Sequence, residues 1–222
     1  MVRLGWFVRS EVEYFAKHPD LAPAHLEFSF GMGERRGNDP ASTDEPLRLT
    51  VGSLELGALG IIDRVDATAE GRAVVIDYKT GATAPTYAAV AKGASFQLFV
   101  YLLAAERLLG LQPEEGFYLK LADPPGAKGR LTQSGGLACG ARPARGQKLP
   151  WPELKARLAD FLSAYAADIA AGHFPLLPVS AEPCRFCDFQ SLCRQDPTRL
   201  SGERQEDSQR FARTRTQGAE DV

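Results

Sequence analysis

A chain of 222 residues, 44% of them hydrophobic, is long enough to bury one substantial core, and its length makes one domain the working count. Its formal net charge of -2 excludes a global basic field, so any nucleic-acid binding has to come from a local groove lined by particular Lys and Arg residues. No apolar run approaches the roughly 20 residues needed to cross a bilayer, and the opening MVRLGWFVRSEVEYF lacks the apolar core of a signal peptide, so a cytoplasmic protein is expected.

Taken in chain order, the first element is a short helix over about Ser10 to Lys17, with Val12 and Phe15 at helical spacing and Pro19 as its stop. Residues 31–46 read as loop. From Leu47 to Tyr78 the text is strand-rich: LRLTV, then LELGALGIIDRVD, then AVVIDYK, a three-stranded meander with Glu70-Gly71 as the last turn. A helix over about Ser95 to Leu109 follows, with Leu98, Tyr101, Leu102, Ala105 and Leu109 on one face and Gly110 as a left-handed terminator. GFYLKL at 116–121 reads as a further strand. The stretch 122–150, rich in Pro, Gly, Ala and Lys without periodicity, reads as a surface insertion. Trp151-Pro152 then opens a long helix carrying Leu154, Leu158, Phe161, Leu162, Tyr165 and Ile169 up to Gly172. A cysteine-rich segment over 183–195 closes the domain, read as 1–195, and the polar stretch 196–222 reads as a disordered tail. There is no internal repeat. The element order fits an α/β fold, a small mixed sheet flanked by helices.

The informative stretch is Gly60-Ile61-Ile62-Asp63-Arg64-Val65-Asp66 followed by Val75-Ile76-Asp77-Tyr78-Lys79-Thr80-Gly81. Strand alternation projects Asp77 and Lys79 from one side while Tyr78 points away. Asp63, on the preceding strand of the hairpin, can approach Asp77, and two facing carboxylates are tolerated with a cation between them. Hard carboxylate oxygens select magnesium or manganese. Lys79 beside such an ion can orient water and stabilise charge developing on a phosphate, an arrangement suited to phosphodiester hydrolysis. The plainer alternative is three solvated charges on an exposed sheet face joined by ordinary salt bridges. Arg64 and Asp66 share the other face and read as a surface ion pair. Gln97 and Tyr101, four residues apart, share one helix face; packing for Tyr101 and solvation for Gln97 are the plainer alternative.

Together IIDRVD and VVIDYKTG resemble the GxIDRxD and DYKTG signatures of the AddB and RecB branch of the PD-(D/E)XK nucleases, and Gln97 with Tyr101 is similar to that family's QxxxY motif. The resemblance covers about residues 6–195. It implies a restriction-endonuclease-like core and a DNA exonuclease using Mg2+ or Mn2+, with Asp63, Asp77 and the Tyr78 carbonyl as metal ligands and Lys79 on the catalytic-base side. It gives Gln97 and Tyr101 supporting roles. It further implies a helicase partner delivering DNA in double-strand break repair and recombination; the chain itself has no GxxxxGK[ST] loop. A catalytically inactive DNA-binding module of the same fold and a free-standing CRISPR-type exonuclease are the alternatives.

Four cysteines stand at 139, 184, 187 and 193, and a reducing compartment favours metal ligation over disulfides. Cys184-x2-Cys187-x5-Cys193 is similar to the iron-sulfur staple of AddB-type nucleases, which implies a 4Fe-4S cluster. Structural zinc and free thiols remain alternatives. The resemblance places the fourth cysteine ligand, and a metal-binding histidine on a helix, ahead of the strands. No cysteine precedes Cys139, and His18 and His25 flank a Pro-rich stretch close to the first strands, so the chain is read as starting inside the family's domain. His173, after Gly172, reads as a capping or surface residue.

Overall fold

A computed structural model describes residues 2–33, 37–51, 54–81, 84–85, 90, 93–121, 126–132, 151–174, 186–189 and 192. The described helices are α1 (Val2–Lys17), α2 (Gln97–Arg107) and α3 (Trp151–Ala170); the strands are β1 (Ala22–Phe30), β2 (Leu47–Val51), β3 (Leu54–Ala58), β4 (Gly60–Ala67), β5 (Arg72–Lys79), β6 (Gln112–Lys120) and β7 (Gly126–Thr132). None of the described helices is long and apolar enough to cross a membrane. The chain divides into two compact units, Met1–Ser163 and Ala164–Val222.

The first unit is built on a five-stranded sheet in the order β1-β4-β5-β6-β7. The β5–β6 pair is parallel and the other three pairs are antiparallel, so the sheet is mixed, as expected for this α/β class. Parallel pairing needs a crossover connection, and α2 lies on the path from β5 to β6. Residues of β5 that point to one face (Val74, Ile76) join Tyr14, Leu21, Phe117 and Leu119 in a core cluster under α1. The other face is covered by α2: a Cβ added at Gly116 of β6 would lie 3.1 Å from Leu102 and 3.2 Å from Leu98. That glycine lets the helix sit close against the strand, and it is this close approach that brings the first turn of α2 over the ends of β5 and β6.

Four expectations are corrected. The meander is not one sheet: among the described residues β2 pairs with β3 in a separate two-stranded ribbon, and Leu59 separates β3 from β4. The alternating burial of Leu47, Leu49 and Val51 gives β2 a face of its own. Second, β1 is a strand where the sequence suggested none. Pro23 reads as a breaker, but β1 is an edge strand and the register shifts between Pro23 and His25, the two places where a strand tolerates proline. Third, α1 begins at Val2 rather than near Ser10. Fourth, residues 126–132, assigned to a surface insertion, form the edge strand β7, paired with β6 from Glu115↔Thr132 to Lys120↔Gly126. The remainder of that insertion (122–125 and 133–150) and the 196–222 tail lie outside the described residues.

The α2 and α3 assignments hold closely. Gly110 and Gly172 follow them at φ 67° and 66°, the left-handed conformation expected of C-terminal glycines. In the second unit His173 is exposed and its backbone N–H bonds the carbonyl of Asp168 at 2.8 Å, closing the helix end.

Candidate active site

Strand alternation on β4 and β5 sorts the charged residues of IIDRVD and VIDYK to opposite faces. Register Arg64↔Ile76 and Val65↔Val75 puts Val65 and Val75 under α2, and with them Asp63, Asp77 and Lys79. The regular pairing of the two strands stops at Arg64↔Ile76. Beyond it the Tyr78 N–H donates to Asp63 Oδ2 at 2.7 Å, so a carboxylate takes the place of the next backbone acceptor.

From this splayed end a chain of polar contacts runs to α2. Lys79 Nζ lies 2.7 Å from Asp77 Oδ2 and donates to Gln97 Oε1 at 2.9 Å. Gln97 Nε2 in turn donates to the Tyr101 hydroxyl at 3.1 Å, one helical turn on. Asp77 is 3% exposed. Burial pushes its carboxyl above the usual carboxylate range, the Lys79 ammonium works against that, and the charge of Asp63 adds to the rise. Tyr101 is also raised, first by burial and then by the charges of Asp77 and Asp63, which places its hydroxyl within electrostatic reach of both acids. Its ring packs edge-on against Phe30 and over Gly60, where an added Cβ would come within 3.0 Å of it. Tyr101 is thus packed in the core and hydrogen-bonded to Gln97 at once. The structure brings Asp63, Asp77, Lys79, Gln97 and Tyr101 to one face of one sheet end.

Such a cluster has the donor set for a hard cation. Asp63 and Asp77 supply carboxylate oxygens, and mutual repulsion at a buried acid is what a divalent ion relieves. Lys79 O accepts from Leu121 N beyond β6. By the alternation of carbonyls along a strand, the Tyr78 carbonyl therefore turns toward β4 and Asp63. Three oxygens from two adjacent strands fit magnesium or manganese, both of which retain water in the remaining positions. Among the described residues no three His, Cys, Asp or Glu side chains gather around one point.

A description of the PD-(D/E)XK nuclease superfamily matches residues 3–194, nearly all of the chain. The chain belongs to this superfamily. No curated protein matches it. The superfamily's restriction-endonuclease-like architecture, a small mixed sheet flanked by helices, is the fold described above, and Asp77-Tyr78-Lys79 has the (D/E)XK spacing of its name. Glu153-Leu154-Lys155 has the same spacing, but it lies on α3, where residues two apart diverge around the helix, and Lys155 is paired with Glu106 at 2.8 Å. Only on a strand does this spacing put an acid and a lysine side by side.

The opposite face carries a correction. Arg64 and Asp66 share a face, as expected, but they are buried rather than a surface pair: Arg64 is 4% exposed and Asp66 is 0%. Arg64 Nε and Nη2 donate to the two Asp66 carboxylate oxygens at 2.6 Å each, Nη1 donates to the Tyr78 hydroxyl at 3.0 Å, and Glu11 of α1 completes the set. The guanidinium lies 5.3 Å from the Phe15 ring centroid. Burial by itself would favour the neutral guanidine, but the hydrogen bonds and charge of Asp66, then Tyr78, outweigh it and hold Arg64 ionised. Tyr78 therefore reaches both ways, its hydroxyl to Arg64 and its backbone N–H to Asp63. Sequence reasoning also passed over Ser95 and Tyr118, whose hydroxyls meet beside Leu98 N at the start of α2. Strand alternation in GFYLKL could have placed Tyr118 on a face with Lys120, but not which helix that face meets.

Of the cysteines, Cys187 is exposed, and Cys139, Cys184 and Cys193 lie outside the described residues.

Proposed function

We propose that this chain is a Mg2+- or Mn2+-dependent deoxyribonuclease, an exonuclease acting in the cytoplasm as the nuclease portion of a helicase-nuclease in double-strand break repair and recombination. The observation that carries the nuclease reading is the unbroken line Asp77, Lys79, Gln97, Tyr101 beside Asp63, at an open strand end where Lys79 is 26% exposed. The helicase partner and the repair context rest on the likeness of IIDRVD, DYKTG and QxxxY to the AddB and RecB signatures.

Asp63, Asp77 and the Tyr78 carbonyl would hold the divalent ion, which when bound supplies Lewis acidity and lowers the pKa of a coordinated water. Lys79 directs its ammonium at the phosphate and the attacking water, and stabilises the negative charge that develops as the P–O bond is cleaved. Gln97 fixes that ammonium by accepting a hydrogen bond from it, and Tyr101 fixes Gln97. Burial raises the Asp77 carboxyl, and a bound cation would favour its ionised form, which couples a competent site to metal loading.

By the same likeness, Cys184, Cys187 and Cys193 would ligate a 4Fe-4S cluster with a fourth ligand not identified in this chain. Anaerobically purified protein should carry iron and visible absorption, both lost in Cys187→Ser; a colourless, iron-free parent would remove this part of the proposal.

The decisive experiment compares metal-dependent cutting of single-stranded DNA by the parent, Asp77→Ala and Lys79→Ala. Both substitutions should lower the rate by about 100-fold or more, the scale of losing one charge-stabilising group from an active site. Undiminished cutting by both variants would overturn the site assignment, and DNA binding by the parent without metal-dependent cutting would make the chain a binding module.

A further inference from the structure

Phe117 and Leu119 of β6 point into the α1 core, so alternation turns Tyr118 to the α2 face, in register with Asp77 across the parallel β5–β6 pair. It is fully buried. A phenol in that position needs partners for its hydroxyl, and those it finds belong to the start of α2. Leu98 N donates to the Tyr118 hydroxyl at 3.3 Å, and Ser95 Oγ lies 3.3 Å from the same oxygen. The residue at the helix N-cap, Phe96, contributes no side-chain hydrogen bond. The first turn of α2 is thus capped from the neighbouring strand, with a tyrosine oxygen doing what Ser, Thr or Asp does elsewhere. The ring of the same residue lies under the site: Lys79 Nζ is 5.1 Å from its centroid, within the range of a cation–π contact.

These two contacts act on one bond. Gln97, the first residue of α2, accepts from Lys79 at 2.9 Å; the Tyr118 hydroxyl holds the backbone one residue further on, and the Tyr118 ring faces the ammonium at the other end. We propose that Tyr118 is a positioning residue of the active site, setting the Lys79–Gln97 pair by capping α2 with its hydroxyl and seating the ammonium on its ring. It touches neither substrate nor metal, and its effect on cutting rests on the nuclease reading of Lys79.

Two variants separate the two contacts. Tyr118→Phe keeps the ring and removes the cap; it should lower kcat about three- to tenfold with KM for DNA unchanged, the scale of one net hydrogen bond. Tyr118→Leu removes the ring as well and should lose roughly a further three- to thirtyfold. In a Gln97→Ala background Tyr118→Phe should change kcat no further, because the bond it positions is already gone. A residue that merely stabilised the fold would lower the melting temperature and give losses that multiply with Gln97→Ala. NMR supplies a readout independent of cutting. The Lys79 ε-methylene resonance should be shifted upfield by the ring, retain that shift in Tyr118→Phe and lose it in Tyr118→Leu. Parental kcat in Tyr118→Phe, multiplicative losses with Gln97→Ala, or a Lys79 resonance without a ring shift in the parent would each overturn the inference. If the parent cuts no DNA, the nuclease reading fails, and the resonance alone then decides whether the ring seats Lys79.

Discussion

Replacing Arg64 by methionine tests the largest departure between surface and interior in this molecule. Methionine keeps much of the apolar stem but removes the guanidinium that faces the Tyr14 and Phe15 rings and leaves Asp66, which is wholly buried, without its bidentate partner. Breaking a buried pair by removing one member costs about 3–5 kcal/mol, because the other charge stays desolvated. Glu11, 21% exposed, can turn to water and adds little to that cost. Against a total stability of roughly 5–15 kcal/mol this is a large fraction, and at about 2–4 °C per kcal/mol it corresponds to a fall in Tm of roughly 6–20 °C. Urea unfolding followed by circular dichroism should show a lowered midpoint at unchanged slope. The double substitution Arg64→Met with Asp66→Leu removes both charges and should recover most of the loss, since well-packed apolar replacements of buried pairs are often neutral or better. A single variant within about 1 kcal/mol of the parent would refute the reasoning, because that is what a solvated surface pair would give.

The other expectations concern acid stability, the glycines and Asp77. Burial raises the Asp39 carboxyl, but the Ala41 N–H, His25 and the Leu26 N–H outweigh it and hold it below the usual range. Its contribution to stability is therefore present above the ordinary carboxylate range and lost as pH falls through its depressed folded-state value, so Asp39→Asn should flatten that part of an acid denaturation curve; an unchanged curve would contradict it. Asp77 has the opposite sign: its raised value makes the ionised form unfavourable in the metal-free fold, so Asp77→Asn should be more stable than the parent at pH 7, with the gap closing below about pH 4. Gly93 has φ 74° and a Cβ there would lie 2.6 Å from the Phe161 ring, so Gly93→Ala should cost about 2–4 kcal/mol in the same urea assay. Gly60→Ala should press on Tyr101 and reduce cutting severalfold while costing about 1–3 kcal/mol; parental activity would show that the Tyr101 ring is free to move.

What could be read in the sequence was local. Asp77 and Lys79 are two residues apart on one strand, Gln97 and Tyr101 four apart on one helix, and each pair needs only the period of its own element to share a face. Where a partner came from afar, the reading failed. Arg64 and Asp66 read locally as surface residues, because Glu11 of α1, 53 positions from Arg64, closes over them only in three dimensions. β1 was hidden by Pro23, whose tolerance depends on its strand being an edge, a property of the sheet order and not of the segment. β7 has the composition of a loop and becomes a strand by pairing with β6. Tyr118 could be assigned a face but not a function, since its partners depend on α2 crossing back to make β5 and β6 parallel.

The two charged faces of the β4–β5 hairpin are connected through its register. Asp63, Asp77 and Lys79 meet α2, while Arg64, Asp66 and Tyr78 meet α1, and a slip of one residue in β5 would send Asp77 and Lys79 to the α1 face and Tyr78 to the α2 face. Asp77 would then stand against Phe7, Phe15 and the α1 core, and Tyr78 would turn its ring toward Gln97. The slip would press the Asp77 and Lys79 charges into an apolar core, at several kcal/mol per group. A buried ion pair is weak evidence for added stability, but it discriminates strongly between alternative packings, and here it lies at the last regular pair before the strands part, Arg64↔Ile76. Tyr78 carries that discrimination across the sheet, with its hydroxyl on Arg64 and its N–H on Asp63. Loss of the Tyr78 hydroxyl should therefore affect the site more than the fold: Tyr78→Phe removes one hydrogen bond to a charged group, about 1.5–3 kcal/mol at most, yet loosens the backbone that aims Asp63, Asp77 and Lys79. If Tyr78→Phe lowered stability within that range but left metal-dependent cutting at the parental rate, the α1 face would be holding the register alone, and the geometry of the acids would be set from the α2 side.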